Sequence, residues 1–94
     1  MRSMKMAIYC VTYDLKAPGR NYDEVFDYLK NFTYCKHLES FWLIDTTLTA
    51  AQLRDGLKSR VDSNDILFVA RLQREWASRN YPCADWLNSE KRNW

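Results

Sequence analysis

The sequence predicts an α+β domain of βαββαβ order, with two helices on one face of an antiparallel sheet. Three observations predict it. Ala7-Ile8-Tyr9-Cys10-Val11-Thr12-Tyr13 and Ile66-Leu67-Phe68-Val69-Ala70 are uninterrupted runs of strand-forming residues at the two ends of a 7–72 segment. Two stretches between them repeat apolar residues at three- and four-residue spacing, as amphipathic helices do. A strand-like stretch, interrupted by polar residues, separates the helices.

The first strand runs from Ala7 to Asp14, and no charge appears before Asp14. A run without polar alternation suits a strand covered on both faces. Pro18-Gly19 then marks a turn within Lys16 to Arg20. Asn21 is a suitable N-cap for a helix over Tyr22 to about Phe32, with Asp23 and Glu24 where the helix dipole favours acids and Lys30 in the last turn. Val25, Phe26, Leu29 and Phe32 form its apolar stripe. The stretch 34–45 fits either one bent strand or two short strands joined by a tight turn at Glu39-Ser40. Thr49 with Gln52 forms a capping-box pattern for a second helix, striped by Ala50, Leu53, Leu57 and Val61. Gly56 inside it costs about 1 kcal/mol relative to Ala and suggests close packing against a strand. Asp62-Ser63-Asn64-Asp65 is a polar turn into the last strand, Ile66 to Leu72. Residues 73–94 form a tail of mixed arginines and aromatics with a short helix around Ala84 to Asn88, and Met1 to Met6 reads as a disordered leader.

Right-handed crossovers fold this order into a ferredoxin-like sandwich. Both faces of its sheet are apolar. Ile8 and Cys10 oppose Tyr9 and Val11, Phe41 and Leu43 oppose Trp42 and Ile44, and Ile66 and Phe68 oppose Leu67 and Val69. A second cover is therefore required, supplied by the tail, by a second copy of the chain in a homodimer packed sheet to sheet, or by both.

Ninety-four residues make one domain, and four Trp with six Tyr give it a globular composition. A net charge of +2 makes no case for nucleic acid by itself. Cysteines at 10, 35 and 83 are odd in number and without paired spacing, so no disulfide framework is expected and a reducing, cytoplasmic compartment is. Cys10 reads as a small strand hydrophobe. No apolar run approaches the ~20 residues that span a bilayer, so no membrane association is expected.

Tyr13-Asp14-Leu15 carries the sharpest chemical signal. A carboxylate at a strand end can hold Mg²⁺ or Mn²⁺, which take oxygen ligands, and such a metal activates water against a phosphodiester. In a two-fold dimer both copies of Asp14 can share one metal. The plainer alternative is that Asp14 caps its loop or pairs with Lys16 or Arg20. His37, two residues after Cys35, lacks the further ligands a zinc site needs. The tail's Trp76, Tyr81 and Trp86 among arginines fit a single-strand stacking surface, or else a cover for the sheet.

Tyr-Asp-Leu at 13–15, Leu38-Glu39-Ser40-Phe41-Trp42, the Thr49 to Arg60 helix and Asn64-Asp65-Ile66-Leu67 together resemble the Cas-two family of CRISPR-associated adaptation proteins. The likeness is closest to its SinR-like relatives, and VapD-type ribonuclease toxins share the fold. The resemblance covers about Met6 to Leu72 and implies a ferredoxin-like homodimer tied to antiviral defence. It implies either a metal-dependent endonuclease acting on RNA or DNA, or a non-catalytic module binding nucleic acid, a nucleotide or a partner protein. Asp14 matches the family's metal-binding aspartate and Ser40 its serine, with Tyr13, Lys16 and Arg20 placed to contact substrate. Two departures stand out. Leu38 occupies a position where the family has Gln, and Asp23, Glu24 and Asp27 replace a basic helix face, which weakens the case for duplex binding.

Overall fold

A computed structural model describes residues 6–16 and 22–94. Its elements in chain order are β1 (Ala7–Asp14), α1 (Asp23–Lys30), β2 (Thr33–Leu38), β3 (Phe41–Thr46), α2 (Ala50–Lys58), β4 (Ile66–Arg71) and α3 (Cys83–Asn88). The four strands form one antiparallel sheet in the order β2-β3-β1-β4. The stretch 34–45 is thus two strands, joined through Glu39-Ser40, and Leu38 pairs with Phe41 across that turn. Ser40 takes φ 59° there, the left-handed region that lets so short a connection close.

Strand alternation sorts the side chains into two layers. Tyr9 and Val11 of β1 and Trp42 and Ile44 of β3 point to one face, where they pack with Val25 and Leu29 of α1 and Leu53 and Leu57 of α2. Ile8 and Leu43 point to the other, where Cys83 and Leu87 of α3 and Trp94 cover them. Ile8, Val11 and Ile44 are all fully buried, so the middle strands have protein on both sides. Cys10 is the free cysteine among the described residues and packs at the margin of the second layer.

The helix ends depart from the sequence expectation in part. Thr49 and Gln52 do make the capping box, at 3.1 Å from the Gln52 amide to Thr49 Oγ1 and 2.9 Å from the Thr49 amide to Gln52 Oε1. α2 stops at Lys58, however, so Val61 packs from beyond the helix. α1 spans only Asp23–Lys30, and its cap position is Tyr22, without a side-chain cap bond; Asn21, the expected cap, lies outside the described residues. Gly56 does mark a close approach, but to α1 and not to a strand. A Cβ at 56 would overlap the Tyr28 hydroxyl and ring. Tyr28 is held there by an edge-on contact with Phe32 at 5.3 Å and by the Arg60 guanidinium at 4.4 Å from its ring centre.

The expectation of unpaired cysteines is overturned. Cys35 of β2 and Cys83 of α3 form a disulfide with Cα atoms 5.9 Å apart, across a separation of 48 residues. Chain spacing carried no sign of it, because the tail's return across the second face is what brings the two together. The tail has further ties. The Arg92 guanidinium donates to the Asp45 carboxylate at 2.9 Å, with both side chains largely buried, and also lies over the Trp86 ring. Trp94 donates its indole N–H to the Leu87 carbonyl at 3.1 Å. Arg74 donates to the main-chain oxygen of Trp94 and stacks on its ring. Among the described residues no helix is long and apolar enough to cross a membrane.

Two stability predictions follow from these contacts. Arg92→Met leaves a buried carboxylate unpaired and should lower unfolding free energy by about 3–5 kcal/mol, while adding Asp45→Leu should restore most of the loss in urea denaturation. Gly56→Ala should destabilise by about 1–2 kcal/mol through overpacking against Tyr28. In a Tyr28→Ala background the sign should reverse, exposing the roughly 1 kcal/mol helix-propensity gain.

Candidate functional site

A groove of about 620 Å³ opens where β1 ends, between α1 and the β2–β3 hairpin. Its volume is in the range of small-ligand sites. Trp42 anchors it from below. The indole is buried, and its N–H donates to Tyr13 Oη at 3.1 Å, which satisfies the one polar atom that burial would otherwise strand. Phe26 lies nearly parallel to Trp42 at 6.5 Å between ring centres, and Tyr34 tilts against it at 5.1 Å. Tyr34 is exposed, so its ring is the one an incoming molecule meets.

Charged groups ring this aromatic floor. Lys30 comes from the last turn of α1, Lys36 and Glu39 from the hairpin, and Asp14 from the end of β1. Lys36 also reaches over Trp42, its Nζ 5.8 Å from the ring centre. Burial pushes the Tyr13 phenol above its ordinary value; the Trp42 hydrogen bond pulls the other way, and the negative charge of Glu39 adds a smaller upward push. Tyr13 therefore stays protonated at neutral pH. It can donate from Oη but cannot serve as a base.

The structure brings together Tyr13, Asp14 and Ser40, which line this one groove. The Ser40 main chain is fixed by Thr12, whose hydroxyl donates to the Ser40 carbonyl at 2.7 Å and so ties the hairpin turn to β1. Lys16 forms an ion pair with Asp14 at 3.8 Å, with both side chains about half exposed or more. Such a pair contributes little to stability and leaves the carboxylate accessible. Arg20 lies outside the described residues.

Sequence reasoning missed four contributors. Glu39 is a second carboxylate on the same groove as Asp14; hairpin closure puts it there. Lys30 and Lys36 are brought alongside from separate elements. Asp65 organises the rim: its carboxylate accepts from the Lys16 amide at 2.7 Å, from the Tyr22 hydroxyl at 2.9 Å and from the Asp62 amide at 2.7 Å. One side chain thus holds residues on both sides of the loop that joins β1 to α1. An aspartate ending a polar turn just before a strand was its only signal.

Asp14 and Glu39 both line the groove, and carboxylates are the oxygen ligands Mg²⁺ takes, with water completing the shell. Among the described residues, no group of three His, Cys, Asp or Glu surrounds Asp14; the one such group is Cys35, His37 and Cys83, on the far side of β2.

Asp65→Ala should lower stability by about 2 kcal/mol, since three donors lose a charged acceptor at a partly exposed site. The Lys16 amide should lose its protection from hydrogen exchange, with the amides of β1 unaffected; native-state exchange measured by NMR checks both.

No family model matches this chain, and no solved structure matches it.

Proposed function

We propose that the chain is a nucleic-acid-associated protein of the Cas-two and SinR-like kind, built as a ferredoxin-like sandwich and working as a homodimer. In this reading the groove takes a single-stranded segment of RNA or DNA. The observation that carries the reading is one exposed ring, Tyr34, on a buried aromatic base, with Lys30 and Lys36 beside it and Asp14 at its end. An accessible ring offers a base a stacking partner worth about 1–3 kcal/mol, and flanking lysines meet the phosphates. The acids of α1, Asp23, Glu24 and Asp27, are exposed and disfavour a duplex backbone on that helix.

The strand order β2-β3-β1-β4, with α1 and α2 on one face, supports the ferredoxin-like reading. The second face supports the dimer. α3 and the tail cover its β2–β3–β1 side, yet Phe68 is 59% and Ile66 52% exposed on the edge strand β4. Ile66 lies opposite Asp14 and Phe68 opposite Thr12, so a partner packed sheet to sheet over these two residues would also lie beside the Asp14 end of β1. Asp14, with Glu39, would hold Mg²⁺ or Mn²⁺; when bound, that metal supplies an activated water for phosphodiester hydrolysis. Tyr13 and Ser40 then position substrate from the groove wall, and Lys16 and Arg20 contact phosphate. The Cys35–Cys83 disulfide removes the ground on which a reducing, cytoplasmic compartment was expected; antiviral defence is the setting this reading implies.

The absence of a three-ligand group around Asp14 among the described residues favours a second reading, the same dimer as a non-catalytic module that binds nucleic acid, a nucleotide or a partner protein.

Labelled single- and double-stranded RNA and DNA, incubated with Mg²⁺ or Mn²⁺ and either wild-type or folded Asp14→Asn protein, separate the two. Cleavage falling by about 100-fold or more in the variant supports the nuclease. Binding without cleavage by either protein selects the module, and equal cleavage by both removes Asp14 from the chemistry. Binding itself should weaken about tenfold in Tyr34→Ala. It should also fall with salt at a log–log slope of about −2.8, from the phosphate contacts of Lys30, Lys36, Lys16 and Arg20 on a single strand. A wild-type protein that binds no single strand overturns the groove assignment.

A further inference from the structure

The nucleic-acid reading makes no use of the cluster on the far side of β2. Cys35 and His37 are two residues apart on β2, and Cys83 opens α3 beneath them. The two sulfurs and an imidazole nitrogen all lie within 4.8 Å of one another. Zinc bound at about 2.3 Å to sulfur and 2.0 Å to nitrogen holds tetrahedral ligand atoms about 3.5–3.8 Å apart. The Cys35–Cys83 bond must open first, and the two Cα atoms 5.9 Å apart leave the sulfurs to move to that spacing. His37 is exposed, so it can turn either ring nitrogen to the metal. The pair of residues that seemed short of ligands in the sequence gains its third from the tail.

The fourth position has a place to open. A cavity of about 490 Å³ adjoins His37, lined further by Leu38, Phe41 and residues 77–82. Tyr81 stands in its wall with a buried hydroxyl that has no hydrogen-bond partner. A buried hydroxyl without a partner carries a desolvation cost, and a water or anion held in the cavity that Tyr81 shares with His37 would relieve that cost.

We propose that Cys35, His37 and Cys83 form a redox-gated zinc site, with the fourth position open to water or a small anion in the Tyr81 cavity. A dithiol reductant transfers two electrons and two protons to the disulfide, becoming a cyclic disulfide itself and leaving two protein thiols. Zn²⁺ then displaces both thiol protons and binds two thiolates and the neutral imidazole. A disulfide oxidant, such as oxidised glutathione, reverses the exchange: it takes the two electrons of the zinc-bound thiolates and two protons from water to become two thiols, the protein disulfide re-forms and Zn²⁺ is released. Either state ties α3 to β2, one through a covalent bond and the other through the metal; only the reduced, metal-free protein lacks the tether.

Cobalt(II) titration of the full chain, kept anaerobic, tests this. Reduced wild-type protein should take up one cobalt per chain, with thiolate-to-cobalt charge-transfer and tetrahedral ligand-field bands, and equimolar Zn²⁺ should bleach them. The oxidised protein should show neither band. Cys10→Ser should behave as wild type. His37→Ala, an exposed change that leaves the core intact, should bind at least about 100-fold more weakly, the loss expected for an outer-shell partner or more. A reduced, folded wild type without thiolate–cobalt bands overturns the proposal. So does His37→Ala with wild-type affinity, or loss of the bands in Cys10→Ser.

Discussion

Everything in this molecule answers to the burial of β1 and β3 on both faces. Their apolar residues do not alternate with polar ones, so each face must be shut off from water, and a chain of this size has few elements to do it with. α1 and α2 close one face over Tyr9, Val11, Trp42 and Ile44. The tail has to close the other over Ile8 and Leu43, and it reaches only part of the way. The uncovered remainder lies on β4, where Ile66 and Phe68 stay exposed, and this is the surface the proposed dimer would bury.

A short tail closing a sheet face buries little area for the chain it must order, and the ordering costs about 1–2 kcal/mol per residue in backbone entropy. That cost accounts for the density of specific ties along it. The Cys35–Cys83 bond fixes α3 to β2, the Arg92–Asp45 pair reaches into the sheet, and Trp94 is gripped by Arg74 and by the Leu87 carbonyl. Of these, the disulfide alone can be exchanged by redox chemistry, and it adjoins the imidazole of His37. The tail's attachment and the proposed metal chemistry are for this reason one subject.

Trp42 links the core to the groove. Its ring belongs to the layer under α1, while its N–H, Phe26 and Tyr34 build the groove's base. A binding surface resting on a buried residue is ordered before any ligand arrives, which reduces the entropy lost on binding. The charges around it sit on longer, exposed side chains and carry less of that order. Shape at this site is set by the fold, and charge is adjusted by solvent-facing residues.

The sequence by itself determined the strands, the two main helices, the Thr49 capping box and the two-faced burial, because periodicity and capping are local properties of a few adjacent residues. It also singled out Asp14, Tyr13 and Ser40, which the fold places on one groove. It left 34–45 open because a two-residue turn at Glu39-Ser40 needs a positive φ at Ser40, and serine does not advertise one. It expected Gly56 to meet a strand where it meets Tyr28 of α1, since a small residue announces a close approach but not the partner. Only the tertiary structure decided the Cys35–Cys83 bond, the joining of Glu39, Lys30 and Lys36 to Asp14, the reach of Asp65 across to Lys16 and Tyr22, and the meeting of His37 with two sulfurs. Each joins residues from separate elements, and their proximity exists only once the sheet has been covered on both sides.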